Sequence, residues 1–349
     1  MKYSFIHIVY YLERIMKTLF LLLCFVCYSI LTVKASQPLE PAAQIKRMGR
    51  GVNIIGYDPL WKDPAQSRFQ DRHYQLIRKA GFQTVRINLN CLHRMDADLR
   101  MPEAWFKILE HQVQQALTND LIVILDLHDF TTVAKDPAAF RPRVVAFWKQ
   151  VAERFKDAPD KVLFELLNEP NGQLTPELWN AWIPDIMAAI RASNPTRTVI
   201  VGPGNSNGMS SLKTLVLPAQ DRNLIVTVHY YHPMPFSHQG APWSKKNKEL
   251  SGITWGTDEE RAKVVSDFQK AADWSKEQGR PLLLGEFGAY DGNKADSALA
   301  MRAAYVNHIA RTAEAMGLAW AYWQFDSDFI VYDIDKDRWV EPILKALIP

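Results

Sequence analysis

The chain has 349 residues, of which 48 % are apolar and 23 % charged, the make-up of an ordinary globular protein long enough for one large domain and its core. The formal net charge of +3 arises within the first 35 residues, where Lys2, Arg14, Lys17 and Lys34 stand against Glu13 alone. The remainder is close to neutral, so nothing in the charge pattern points to nucleic acid or to an anionic membrane as a partner.

Residues 18–33 form an uncharged, mostly apolar run that follows Lys17 and leads into Val33-Lys34-Ala35-Ser36. Small residues flanking the end of such a run predict a signal peptide over residues 1–35, cleaved before Ser36. The run falls short of the about 20 residues that span a bilayer, and an uncleaved anchor is the alternative. Met16-Lys17 would open a more ordinary signal than Met1, which makes residues 1–15 an upstream extension. Cys24 and Cys27 lie inside this segment, in a poor match to a lipoprotein signal, so the mature chain 36–349 keeps Cys91 alone and no internal disulfide. The expected destination is the periplasm or the outside, with no membrane attachment once the signal is removed.

From residue 50 onward strand and helix signals alternate. Residues 51–55 read as a first strand, 67–79 as an amphipathic helix closed by Gly81, and 84–89 as a second strand. A helix over 102–117 precedes a third strand over 121–127, which is apolar except for Asp126. A helix over 140–155 precedes a fourth strand. Next come a helix over 176–192, a fifth strand over 198–201 and a sixth over 224–228. A long helix over 259–277 leads to a seventh strand, a helix over 298–316 to an eighth strand over 318–323, and 340–347 reads as a closing helix. Eight such units in this length predict a (β/α)8 barrel as a single domain with no internal repeat. The longest irregular stretch, 230–255, follows the sixth strand, and long loops in compact domains are usually functional.

The fourth strand carries the chemistry. Residues 161–172 read Lys-Val-Leu-Phe-Glu-Leu-Leu-Asn-Glu-Pro-Asn-Gly, an apolar run interrupted by Glu165 and stopped at Pro170, which cannot extend a ladder. That leaves Asn168 and Glu169 at the carboxyl end of a buried strand, where parallel barrels do their chemistry. The seventh strand, Pro-Leu-Leu-Leu-Gly-Glu-Phe-Gly over 281–288, ends on Glu286 in the same way. Two carboxylates at one end of a barrel are the minimum equipment for glycoside hydrolysis.

With these motifs the chain resembles the endoglucanases of glycoside hydrolase family 5, from about Arg50 to its C-terminus; Val85-Arg86-Ile87 matches that family's second strand. The resemblance implies a secreted, retaining endo-β-1,4-glucanase that needs no cofactor or metal, takes a β-glucan as its partner and works as a monomer. It implies Glu169 as acid/base and Glu286 as nucleophile, with Arg86, His128, Asn168, His229, Tyr231 and Trp323 around the sugar. Related barrels acting on mannan or xyloglucan, or binding glycans without cleaving them, are the alternatives.

Several residues carry two readings. Arg86 is buried in a strand and needs a partner, either Asp126 as a structural ion pair or Glu286 from beneath. His128, in Asp126-Leu127-His128-Asp129, is a substrate contact by resemblance and a satisfied core histidine otherwise; Asp129 stands where the family often has a second His and is given no role. His229-Tyr230-Tyr231 fits the family's His-x-Tyr, which leaves Tyr230 to packing. Trp61, Trp243 and Trp255 lie in face loops, for stacking on sugars or for loop packing. No His-Glu-x-x-His or Gly-x-Ser-x-Gly occurs, and the Gly-rich stretch 202–208 has no Lys after its last Gly, so it reads as a turn rather than a phosphate loop.

Overall fold

The computed structural model describes Met16, residues 39–292 and residues 296–349; the signal-peptide reading over residues 1–35 lies almost wholly outside them. A short helix, α1 (Pro41–Met48), opens the stretch that begins at residue 39. Eight strands then close into one parallel barrel in sequential order: β1 (Arg50–Ile54), β2 (Thr84–Leu89), β3 (Ile122–Leu127), β4 (Val162–Glu165), β5 (Val199–Val201), β6 (Leu224–Tyr230), β7 (Leu282–Phe287) and β8 (Ala319–Tyr322). β8 pairs back onto β1. The helices between them are α2 (Asp71–Ala80), α3 (Glu103–Thr118), α4 (Phe130–Lys135), α5 (Pro137–Arg154), α6 (Pro176–Arg191), α7 (Met234–Ser237), α8 (Asp258–Gln278) and α9 (Asp296–Ala315). A two-stranded hairpin, Tyr332–Asp333 with Arg338–Trp339, and α10 (Glu341–Leu347) end the chain.

Several element ends differ from the sequence reading, each for a local reason. α2 starts at Asp71 rather than residue 67, because residues 67–70 are drawn out to Asp58, whose carboxylate accepts from the backbone N–H of Arg68 and Phe69. α5 begins at Pro137, where Asp136 caps it by accepting from Ala139 N–H. β6 runs two residues further, to Tyr230. α1, α4 and α7 have no counterpart in the reading, α7 lying inside the stretch 230–255 read as irregular; Pro at the start of α1 suits a first helical turn.

The barrel interior is layered. At its N-terminal end Ile45 and Met48 of α1 join Ile122, Ile124, Leu163, Ile200, Ile225, Leu283 and Ala319 in a small apolar cluster that plugs the bottom. Side chains alternate along a strand with period two. The positions two residues above this plug are therefore also interior: Asp126 above Ile124, Glu165 above Leu163, and Thr227 then His229 above Ile225. The larger apolar cluster fills the space between strands and helices, and holds the intervening residues Leu125, Phe164, Val226 and Val228.

β7 departs from this rule at the point that matters. Leu283 faces inward and Leu284 outward, so simple alternation would turn Glu286 toward the helices. Instead Val228 pairs with Leu284 and His229 pairs with Glu286, leaving Gly285 as an extra residue. A bulge of this kind re-aims the side chain that follows it, and Glu286 points into the barrel. Gly is required there: a Cβ on Gly285 would lie 2.4 Å from Thr227 Oγ1 and 3.0 Å from His229 Nε2.

Candidate active site

Above the apolar plug, the strands bring together a buried polar layer centred on Arg86. Its guanidinium is fully buried and uses all its edges. Nε and Nη2 donate to the two oxygens of Glu165, each at 2.8 Å. Nη1 donates to Glu286 Oε1 and to Asn53 Oδ1 at 2.8 Å, and Nη2 donates to Asn168 Oδ1 at 2.8 Å. Asp126 Oδ2 lies 3.1 Å from Nη2. Both readings of Arg86 therefore hold at once, with Asp126 and Glu286 sharing it. Glu165, which the sequence reading treated as a mere interruption of a strand, is its bidentate partner. Burial works against the Arg86 charge, yet the surrounding carboxylates hold its proton well above the ordinary arginine range. Burial pushes Glu165 up to about 7 against the pull of Arg86, since one guanidinium faces three carboxylates.

The two glutamates of the motifs stand over this layer. Glu286 accepts from Arg86 on one oxygen and from the Tyr231 hydroxyl at 2.9 Å on the other. Glu169 lies at the end of the β4 segment with φ 41°, a left-handed conformation that costs a non-glycine residue about 1–2 kcal/mol and is typically kept where a site needs it. Its Oε1 is 2.8 Å from His229 Nδ1. The sequence reading gave Glu169 no such neighbour. The side chain keeps 19 % of its surface toward the mouth, but the walls around it are dry enough that burial pushes Glu169 up to about 7, against the pull of His128 and Arg86. Burial pulls His229 down to about 4, which keeps its ring neutral near pH 7. One atom each from Glu169, His229 and Glu286 lie within 4.8 Å of one another. This trio is poorly suited to a divalent cation, because the fixed positive charge of Arg86 already sits on Glu286 and Nδ1 of His229 is engaged by Glu169.

His128 and Trp323 form the side wall. Their rings stack at 5.3 Å with an interplanar angle of 6°, and Tyr57 meets Trp323 edge-on at 6.1 Å. His128 Nδ1 lies 2.5 Å from Asp126 Oδ2. Burial alone would lower the imidazole, but Asp126 outweighs it and raises the His128 pKa. Asp129 proves structural, since it accepts from the backbone N–H of Cys91 at 2.6 Å and of Leu92 at 2.8 Å. Tyr230 points outward to Asp267 and Phe268.

The three loop tryptophans divide. Trp61 is buried, donates through Nε1 to Asn88 O at 2.8 Å and packs on Trp105, so it belongs to the core. Trp255 is buried against Phe236 and Tyr305 beneath Arg261. Trp243 is 49 % exposed and leans on Tyr290. Tyr57, 63 % exposed beside Trp323, is an aromatic of the face that no sequence pattern singled out.

A closed parallel barrel with paired carboxylates, a buried arginine and aromatic walls at its mouth has the build of a barrel glycosidase. The family description "Cellulase (glycosyl hydrolase family 5)" matches residues 45–328, and the chain belongs to that family. Endoglucanase H of Acetivibrio thermocellus is 29 % identical over 331 residues, which is 90 % of this chain and 35 % of that protein. Endoglucanase A of Clostridium longisporum is 26 % identical over 300 residues, 80 % of this chain and 55 % of that protein. The chain thus spans only about a third to just over half of these curated relatives. Among solved structures, Thermotoga maritima Cel5A in complex with cellobiose superposes with a TM-score of 0.84 at 35 % identity, covering 88 % of this chain and all of that one. The same protein has been solved in complex with mannotriose, at 34 % identity and the same TM-score of 0.84 over 88 % of this chain and 100 % of that one.

Proposed function

We propose that this chain is an exported, retaining endo-β-1,4-glucanase that works by double displacement, with Glu286 as nucleophile and Glu169 as acid/base. The observation that carries this reading is the close approach of the two carboxylates, with one oxygen of each within 4.8 Å. Retaining glycosidases hold their carboxyl groups at about 5–5.5 Å, too near for a water between carboxylate and sugar, while inverting ones leave about 6.5–9.5 Å. Endoglucanase relatives and the cellobiose complex of T. maritima Cel5A favour a β-glucan. The mannotriose complex favours testing β-mannan as the second substrate.

The chemistry follows from the partners. Glu286 attacks the anomeric carbon as the glycosidic C–O bond breaks, and Glu169 gives its proton to the departing oxygen. A glycosyl ester remains on Glu286. Glu169, now a carboxylate, takes a proton from water, which displaces Glu286 and regenerates both groups. Asn168 accepts from Arg86 through Oδ1, which turns its NH2 toward the sugar, where the 2-hydroxyl can accept from it. Trp323, stacked on His128 and met edge-on by Tyr57, keeps 5 % of its surface open, and that apolar remainder is what it offers the ring at the cleavage point.

Incubating residues 36–349 with soluble cellulose, mixed-linkage glucan and β-mannan should release oligosaccharides of mixed size, with the β-anomer appearing first by NMR. Initial release of the α-anomer would overturn the mechanism, and no hydrolysis of any substrate would overturn the function. The pH profile carries a second expectation. The general acid must hold its proton, and Glu169 loses it near 7. Because kcat/KM reports the free enzyme, its alkaline limb should fall as pH rises through about 7. For export, Edman sequencing of secreted protein should start at or near Ser36.

A further inference from the structure

The loop after β5 reads as an ordinary turn in sequence, yet it is wound unusually. Asn205, Ser206 and Asn207 all have positive φ, at 56°, 58° and 54°. Three successive left-handed residues cost several times what one does, and such a segment persists only when its surroundings hold it. Ser206 N–H donates to Pro170 O at 3.0 Å, and His229 N–H donates to Asn207 O at 2.9 Å. The loop is therefore tied both to the residue after Glu169 and to His229 on β6.

The strain delivers one side chain. Asn207 is fully buried, and Gly202 leaves room for it: a Cβ there would lie 2.0 Å from one end of its amide. One orientation of the amide satisfies both of its ends. Its NH2 then donates to Pro203 O at 3.0 Å, and its oxygen accepts from Glu169 N–H at 3.3 Å. The same oxygen end lies 3.4 Å from His229 Nε2. An amide oxygen facing that nitrogen requires it to carry the hydrogen, because two acceptors would otherwise confront each other.

We infer that Asn207 is a positioning residue that fixes His229 in its Nε2–H form, so that bare Nδ1 accepts a hydrogen bond from the carboxyl O–H of Glu169 and the general acid stays loaded between turnovers. This rests on the reading of Glu169 as acid/base. A His229 with hydrogen on Nδ1 would instead donate to Glu169 and favour its charged form, unloading the acid. The neutral ring and the high proton affinity of Glu169 agree with the first arrangement. The other groups that act on Glu169 are Tyr57 after β1, Arg86 on β2, Asp126 and His128 on and after β3, Tyr231 after β6 and Glu286 on β7. Among the described residues none of these groups is a hydrogen-bond partner of Asn207, whose amide bonds His229, Pro203 O and Glu169 N–H.

Two measurements test this. In the natural chain labelled with ¹⁵N-histidine, His229, assigned by comparison with His229→Gln, should show a pyrrole-like Nε2 and a pyridine-like Nδ1 at pH 6. Protonated Nδ1 with bare Nε2 would overturn the proposal. Asn207→Gly keeps the left-handed backbone without strain and removes the amide, and with it the contacts to His229 Nε2, Glu169 N–H and Pro203 O, so its ¹⁵N-histidine spectrum should also show His229 losing the Nε2–H form. Its kcat/KM profile should lose activity at a pH about one unit lower than the natural enzyme, a tenfold loss of proton affinity at Glu169. A lower kcat with an unmoved alkaline limb would reduce Asn207 to loop packing. The spectrum reads the tautomer without turnover, so failure of the acid/base reading itself would show separately, in the behaviour of Glu169→Ala.

Discussion

Glu286→Ala should form no covalent glycosyl-enzyme with any substrate, while Glu169→Ala should form one and fail to release it. The separation depends on the leaving group. With unactivated glucan, Glu169→Ala loses the proton donor and should slow by about 10²–10⁴-fold, the usual worth of general acid catalysis. With a dinitrophenyl β-cellobioside the departing phenolate needs no proton, so the first step survives. The second step then lacks the base that activates water, and the ester on Glu286 accumulates. Mass spectrometry should find the added disaccharide on the peptide containing Glu286, and azide, which needs no base, should release it as the β-glycosyl azide. Label on the Glu169 peptide, or an α-azide, would reverse the assignment. The geometry sets this expectation, because the two donors on Glu286, Arg86 Nη1 and the Tyr231 hydroxyl, hold its oxygens as acceptors, while Glu169, among the described residues, has the neutral His229 alone at hydrogen-bond distance from its carboxyl group.

Much of this site was readable from strand periodicity. Asn168 and Glu169 before Pro170 follow from where a strand ends, whereas His229 and Tyr231 came from the resemblance to the family's His-x-Tyr, a spacing that alternation along a strand then makes intelligible. The Glu165 position obeys the same period, since Leu163 lies inside the barrel and Glu165 follows two residues later; an apolar run hides this because both faces of a parallel strand are buried. Glu286 is different. Alternation alone would have turned it outward, and only the bulge at Gly285 brings it in; a glycine inside an apolar strand was the visible sign of that irregularity. Nothing local separates Trp61 and Trp255 from Trp243. Trp61 and Trp255 are buried by the segments packed around them, while Trp243 leans on Tyr290 and still stays 49 % exposed. Asn207 was hidden for the opposite reason: Gly, Pro, Asn and Ser announce a turn, and no pattern says that three residues of that turn are left-handed or that its amide lies beside Glu169 and His229.

Arg86→Ala should destabilise the fold strongly, and the loss should depend on pH. The guanidinium is fully buried and satisfies Glu165 by two bonds, Glu286, Asn168 and Asn53 by one each, with Asp126 at 3.1 Å. Removing one side of a buried ion pair costs about 3–5 kcal/mol, since the remaining charges have lost their compensation. Here three carboxylates are left. They would respond by holding protons, so their folded-state affinities rise above the unfolded ones. A folded state that binds more protons than the unfolded state loses stability as pH rises. The stability gap between the natural chain and Arg86→Ala should therefore widen from pH 5 to pH 8 in urea titrations. An equal gap at both would assign the loss to the cavity rather than to charge. Arg86→Lys separates charge from shape. It returns a positive charge and should recover much of the stability at pH 8, but a single ammonium cannot present a fork to Glu165 while also reaching Glu286 and Asn168. Glu286 and Asn168 would shift by a fraction of an ångström to an ångström, which can cost about 10²-fold in turnover. A stable Arg86→Lys with native kcat would show that charge beneath Glu286 is all the site asks of this residue. A stable one with kcat reduced about 100-fold would show that the fork itself positions the carboxylate that attacks the sugar.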